Sequence, residues 1–331
     1  YPKRSFAIQS VILSFFDALR IHAVYDLSLR KAGITPNSNE GIMAKFILSG
    51  FSDEMDRDLR VQIKELKRMG IRCMEMRFLY GKNAVDYSLA DMKEMKKQLD
   101  DEGISVSAIG SPLGKIGITD PFGPHLDLFR HTLELARLLE TRYIRMFSFY
   151  IPQDENPAKY RDEVLERWEA FTSEARGAGV ILAHENEKGI YGDTAERCLD
   201  IIESMNADYV RAVFDPANFI QCEVKTYPEA YHTLKKHIAY MHIKDALTGS
   251  GRVVPAGMGD GRLFEILDDI NRSTDSEMVL SMEPHLGSFE GFDKLENAID
   301  TSNLEESGPG KFEAAARALR NILQKLGHGD I

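Results

Sequence analysis

The chain has 331 residues, 43% of them hydrophobic, enough to bury a large core as one α/β barrel or as two ordinary domains. Asp and Glu number 52 against 41 Lys and Arg, a net charge of −11, so there is no cationic surplus to hold a phosphate backbone or an anionic membrane. The cysteines, Cys73, Cys198 and Cys222, stand in no CxxC or other zinc-type spacing, which argues against a disulfide framework and a thiolate metal site and suits a reducing cytoplasm.

In chain order the first apolar stretch runs from Phe6 to Phe16 behind Lys3 and Arg4, but Gln9, Ser10 and Asp17 interrupt it and no clear small-residue cleavage site follows. No run approaches the ~20 apolar residues that cross a bilayer. Residues 1–43 are therefore expected to be an N-terminal extension that need not belong to the native protein, with one folded domain at 44–331.

From Lys45 onward, short β-rich apolar runs alternate with segments of helical period, the pattern of βα units and a parallel sheet. The strand candidates are 46–50, 71–77, 104–110, 143–149, 180–186, 210–215, 238–244 and 278–283. Amphipathic crossovers separate them, such as 56–69 with Leu59, Ile63 and Leu66, and 124–140 with Leu128, Leu135 and Leu138. Eight such units over roughly 280 residues match a (β/α)8 TIM barrel, for which ~250 residues is typical. A dinucleotide-binding open sheet would want a GxGxxG turn after strand one, where Gly50-Phe51-Ser52-Asp53 stands instead.

In a TIM barrel the active site lies at the C-terminal strand ends. Strand five closes on His184-Glu185-Asn186-Glu187, strand six on Asp215-Pro216-Ala217-Asn218, strand seven on His242-Ile243-Lys244-Asp245 and strand eight on Glu283-Pro284-His285. Alone, each of these residues reads as a salt-bridge or capping group. Together, three carboxylates at the rim of apolar strands are costly unless a cation joins them. Glu185, Asp215, His242 and Glu283 form an oxygen and nitrogen set suited to one divalent metal ion, Mn²⁺, Mg²⁺, Co²⁺ or Zn²⁺.

The strings LAHENEKGIYGDT, VFDPAN, YMHIKD, VPAGMGDG and LSMEPH, in this order, resemble those of the sugar phosphate isomerase/epimerase group within the xylose isomerase-like TIM-barrel superfamily. The resemblance runs from about Phe46 to Leu326. It implies that Glu185, Asp215, His242 and Glu283 ligate one metal, and that Glu185 and Glu283 also move protons, as the matching glutamates do in the epimerases. Such an ion, gripping a carbonyl and the neighbouring hydroxyl, stabilises the enediolate left by proton abstraction. Return of the proton gives an epimerase or isomerase; loss of a β-substituent gives a dehydratase or lyase acting on an inosose or 3-oxo sugar.

Where free-ketose epimerases carry a His and an Arg, this chain has Asn218 and Thr248, and Lys244 and Asp245 follow His242 directly. Asn218, Lys244, Glu75, Glu187 and His285 are expected to meet the substrate, with pairing to Asp245 as the plainer reading of Lys244. Asp193 is expected to cap a helix, with Glu196 three residues on. His184 should face away from the site, into the layer between barrel and helices. An endonuclease of the same superfamily needs histidines on strands two and three and a basic groove; Glu75, Ser111 and the net charge oppose it. The expected partner is a small carbohydrate, phosphorylated or not, with neither nucleic acid nor membrane. Barrels of this family often pair, so the resemblance allows a homo-oligomer.

Overall fold

The computed structural model describes residues 43–285 and 308–329, so the expected extension, 1–43, lies outside the described residues apart from Met43. All eight expected strands form: β1 (Lys45–Gly50), β2 (Cys73–Met76), β3 (Ser105–Ile109), β4 (Tyr143–Met146), β5 (Ile181–Glu185), β6 (Val210–Phe214), β7 (Ile238–Ile243) and β8 (Glu277–Met282). They pair in parallel in the order β1-β8-β7-β6-β5-β4-β3-β2, and β1 packs beside β2, so the sheet nearly closes into a (β/α)8 barrel.

The helices fill the crossovers: α1 (Leu59–Arg68), α2 (Leu89–Asp101), α3 (Gly123–Leu139), α4 (Arg161–Ala175), α5 (Ala195–Met205), α6 (Pro216–Gln221), α7 (Tyr231–Leu234), α8 (Leu263–Ser273) and α9 (Gly308–Lys325). Their apolar stripes pack on the outward side chains of the strands, where Leu59, Ile63 and Leu66 of α1 and Leu135 of α3 join one large core. Inside the barrel a smaller cluster forms from Ala108, Ala183, Val213 and Tyr240. No helix among the described residues is long and apolar enough to cross a membrane.

Period-two alternation places the chemistry. Ala183 faces inward, so Glu185 does too; the same parity turns Val213 and Asp215, Tyr240 and His242, and Val279 and Glu283 toward the barrel axis. Each of these strands is thus apolar low in the barrel and polar at its C-terminal end.

Two sequence expectations shift. Strand four stops at Met146 and not at 149: the Phe147 and Phe149 N–H groups donate to the Leu113 and Gly114 carbonyls of the loop after β3, Phe149 adopts φ +66°, and both rings are fully buried. The turn that receives them needs Gly114, with φ +89°: a Cβ there would stand 2.2 Å from the Phe147 carbonyl oxygen. The helix expected after Gly192 is α5, but its cap is Thr194, which accepts from Arg197 N; Asp193 pairs with the Arg197 side chain.

His184 faces outward, as its parity requires. Its Nε2 lies 2.9 Å from Ser148 Oγ, and its ring meets Trp168 of α4 edge-on at 5.6 Å. Burial pushes this imidazole down to about 3. An unfolded chain takes up a proton near the ordinary value of ~6.5, whereas the folded one does not, so stability is retained above ~6.5 and lost as pH falls toward 3. The loss should approach about 1.4 kcal/mol per pH unit in that window. Urea unfolding between pH 7 and 5 checks it: His184→Gln is expected to flatten the pH dependence by about one proton, and an unchanged slope would contradict it.

Candidate metal centre

Glu185 ends β5, His242 lies near the end of β7, and Asp215 and Glu283 directly follow β6 and β8. Asp215 also opens α6: its Oδ1 accepts from Asn218 N at 2.9 Å, and Pro216 takes the first helical position, where a missing N–H costs nothing. One ligand atom from each of the four residues lies within 4.8 Å of the other three, and all four side chains are buried. His242 Nδ1 stands 2.9 Å from Glu185 Oε1, 3.5 Å from Glu283 Oε2 and 3.8 Å from Asp215 Oδ2.

The donor set fits a divalent ion. Three carboxylates and an imidazole converge on one point, and Asp215 Oδ2, fully enclosed, accepts no well-formed hydrogen bond, with Lys244 Nζ 3.2 Å away. Burial pushes Asp215 up from its ordinary value against the pull of Lys244. For Glu185, burial is outweighed by His242 and Arg145, which hold its carboxyl down at about 2. Burial is likewise overcome at Glu283, where Lys244 and His285 hold the carboxyl well below the usual range. His242 is raised well above its ordinary value, because Glu185 and Glu75 outweigh the burial that would lower it.

Glu75 requires a correction. It was expected at the substrate, yet it is fully buried beneath His242, where it faces Nε2 at 3.1 Å and accepts from Tyr240 Oη at 3.0 Å and from Ser281 Oγ. Held there, it leaves the imidazole with Nδ1 toward Glu185, Asp215 and Glu283. Calorimetric titration with Mn²⁺ should show Glu75→Gln weakening the site by roughly tenfold; wild-type affinity in the variant would remove Glu75 from this role.

Asn218, Lys244, Glu187 and His285 all line a cavity of about 1070 Å³ above the cluster. Asn218 Nδ2 donates to Glu185 Oε1 at 3.1 Å and to the Asn186 carbonyl at 2.9 Å. Glu187 pairs with Lys115 at 2.8 Å near the rim. His285 Nε2 stands 3.1 Å from Glu283 Oε1, and its backbone, at φ +47°, is tied by N–H donation to Glu54 Oε2. Lys244 faces Glu283 and Asp215, while four backbone N–H groups hold the Asp245 carboxylate, so the alternative Lys244–Asp245 pair gives way.

Two arginines complete the floor. Arg145 Nη1 lies 3.2 Å from Glu185 Oε2, and Arg77 Nη1 donates to Glu283 Oε1 at 3.0 Å. Both guanidinium groups lie over the Phe51 ring, at 4.2 Å for Arg77 and 4.9 Å for Arg145. Asp53 and Glu54, in the short turn after β1, pair with Arg77. The signal for Arg145 was present in the sequence: it sits in YIRMFSF with the same inward parity as Tyr143.

Several solved structures share this fold. The IOLI protein with a binding zinc atom aligns over 85% of this chain and 99% of its own at 18% identity and a TM-score of 0.62. D-psicose 3-epimerase with D-tagatose, from Clostridium cellulolyticum H10, covers 85% and 99% at 15% identity and a TM-score of 0.64. A xylose isomerase-like TIM barrel protein from Mycobacterium smegmatis in complex with magnesium covers 86% and 98% at 16% identity and a TM-score of 0.60. At such identities the likeness is one of fold. No curated protein sequence matches the chain. The family model described as xylose isomerase-like TIM barrel matches residues 63–306, well over half of the chain, and the protein belongs to that family.

Proposed function

We propose that the protein is a divalent-metal-dependent enzyme that isomerises or epimerises a small carbohydrate by moving a proton at a carbon next to a carbonyl. One observation carries this: Glu185, Asp215, His242 and Glu283 bring four ligand atoms within 4.8 Å of one another at the ends of four successive strands. A divalent ion in this set supplies electrophilic polarisation of a substrate carbonyl and its neighbouring hydroxyl, which acidifies the carbon bearing that hydroxyl.

Glu185 and Glu283 are the proposed proton-transfer groups. They reach the axis from β5 and β8, on different parts of the barrel wall, so a carbon held between them meets a carboxylate on each side. One takes the proton and the other returns it. Delivery to the opposite face of the same carbon inverts the centre; delivery to the neighbouring carbon exchanges aldose and ketose. Asn218, His285 and Glu187, in the cavity above, are the proposed contacts for substrate hydroxyls.

The test is turnover of the Mn²⁺-loaded protein in D₂O across ketoses, inososes and 3-oxo-glycosides. The reading expects a product isomeric with its substrate and carrying deuterium at the reacting carbon. A product lighter by water would assign a dehydratase instead. Turnover with no deuterium in substrate or product would contradict proton transfer through solvent-exchanging carboxylates.

A further inference from the structure

We infer that Lys244 is an internal competitor for the divalent ion: its ammonium holds two of the oxygens that the ion needs, and ion binding displaces it toward the cavity. The inference rests on the metal reading above and adds a residue that sets which ions, and how tightly, the site accepts.

Lys244 stands two residues after His242 on the chain, so its side chain leaves on the same inward face. Its Nζ lies 3.1 Å from Glu283 Oε2 and 3.2 Å from Asp215 Oδ2. Those same oxygens lie 3.5 Å and 3.8 Å from His242 Nδ1, so ammonium and imidazole share them. With metal–oxygen bonds of ~2.0–2.2 Å, an ion on both oxygens would stand no more than ~5 Å from the ammonium if Lys244 stayed in place. Two positive centres that close, in a buried pocket, repel strongly. The ammonium has to yield part of its hold for the ion to bind.

A plain structural salt bridge accounts for less. Burying an ammonium carries a desolvation cost that a surface lysine avoids, and Lys244 is only 3% exposed. Glu185 already has Arg145 beside it, and Glu283 has Arg77. Asp215 has no arginine beside it: Lys244 Nζ at 3.2 Å is the nearer of the two cationic groups that face its Oδ2, with His242 Nδ1 at 3.8 Å. Lys244 therefore holds the Asp215 and Glu283 oxygens together before the ion arrives, at the expense of affinity. A monovalent ion brings no more charge than the ammonium it must displace, so the device favours dications. Because Lys244 lines the cavity, the displaced ammonium moves to where substrate oxygens bind.

The experiment is calorimetric titration of Mn²⁺ into the chelator-stripped full chain, comparing wild type, Lys244→Met, Lys244→Gln and Asp215→Ala, with thermal melts before and after Mn²⁺ addition. Lys244→Met is expected to bind Mn²⁺ at least tenfold more tightly than wild type. Its melting temperature should fall without the ion and rise further than the wild type's when the ion is added. Lys244→Gln should move in the same direction by less, and it decides the matter should Lys244→Met fail to fold. Equal or weaker Mn²⁺ affinity in the lysine variants, with binding abolished in Asp215→Ala, overturns the proposal and leaves the metal site standing. Wild-type Mn²⁺ binding in Asp215→Ala overturns the metal reading itself.

Discussion

Glu185→Gln is expected to lower turnover of the Mn²⁺-loaded enzyme by about 10²–10⁴-fold while leaving the protein folded. Glutamine fills nearly the same volume and retains an oxygen for the Asn218 amide, which now donates to Glu185 Oε1 at 3.1 Å. What disappears is the negative charge that faces His242 Nδ1 at 2.9 Å and Arg145 Nη1 at 3.2 Å, and with it the proposed ligand and the proposed proton acceptor. Rates should therefore be measured at saturating Mn²⁺, so that weakened ion binding is not mistaken for lost chemistry. Glu283→Gln should lower turnover similarly, but it also deprives Arg77, Lys244 and His285 of a shared carboxylate and should cost stability as well. A two-carboxylate mechanism has a further signature: with one glutamate replaced, the other still exchanges the proton on its own side. At least one variant is then expected to wash deuterium into recovered substrate without forming product. Variants that retain wild-type turnover would remove both glutamates from the reaction.

Asp245→Ala should destabilise the fold by about 3 kcal/mol or more without touching Glu185, Asp215, His242 or Glu283. The Asp245 carboxylate is fully buried and accepts from the backbone N–H groups of Ala246 at 2.9 Å, Gly257 at 2.9 Å, Gly259 at 3.0 Å and Gly261 at 2.8 Å. Burial raises its pKa, and the four amides oppose that rise. Close packing explains the glycines: a Cβ at Gly259 would stand 2.4 Å from Asp245 Oδ1, and one at Gly261 2.7 Å. Removing the carboxylate leaves the segment between β7 and α8 with several enclosed donors and a void. Asp245→Asn, which keeps one accepting oxygen, should fall between wild type and alanine. Urea denaturation reads both changes; an alanine variant within about 0.5 kcal/mol of wild type would show that solvent replaces these bonds freely.

The barrel was legible because each strand announces itself by a β-rich apolar run, and strands five to eight do so a second time by the polar residue that closes them. That second signal places Glu185, Asp215, His242 and Glu283 on one rim, since parity and strand order are properties of the chain. Partnership is not such a property. Glu75 reads as a rim residue in IRCMEMR, but its level in the barrel depends on stagger between neighbouring strands, and that puts it beneath His242. Arg145 has inward parity in its strand, but only the meeting of β4 with β5 gives it Glu185. Asp53 and Glu54 sit in a turn whose local pattern speaks of the chain reversal and not of Arg77 across the floor. The cap at Thr194 and the early end of strand four are local matters of backbone hydrogen bonding, set by Arg197 N and by the Leu113 and Gly114 carbonyls.

Whether the four strand ends form one metal centre is decided by an anomalous difference map from crystals of the Zn²⁺-loaded protein at the zinc edge. One strong peak per chain is expected at ~2.0–2.2 Å from His242 Nδ1 and from one carboxylate oxygen each of Glu185, Asp215 and Glu283. A fully loaded protein with its peak elsewhere, or with the four side chains still paired only to one another and to Arg77, Arg145 and Lys244, would contradict it.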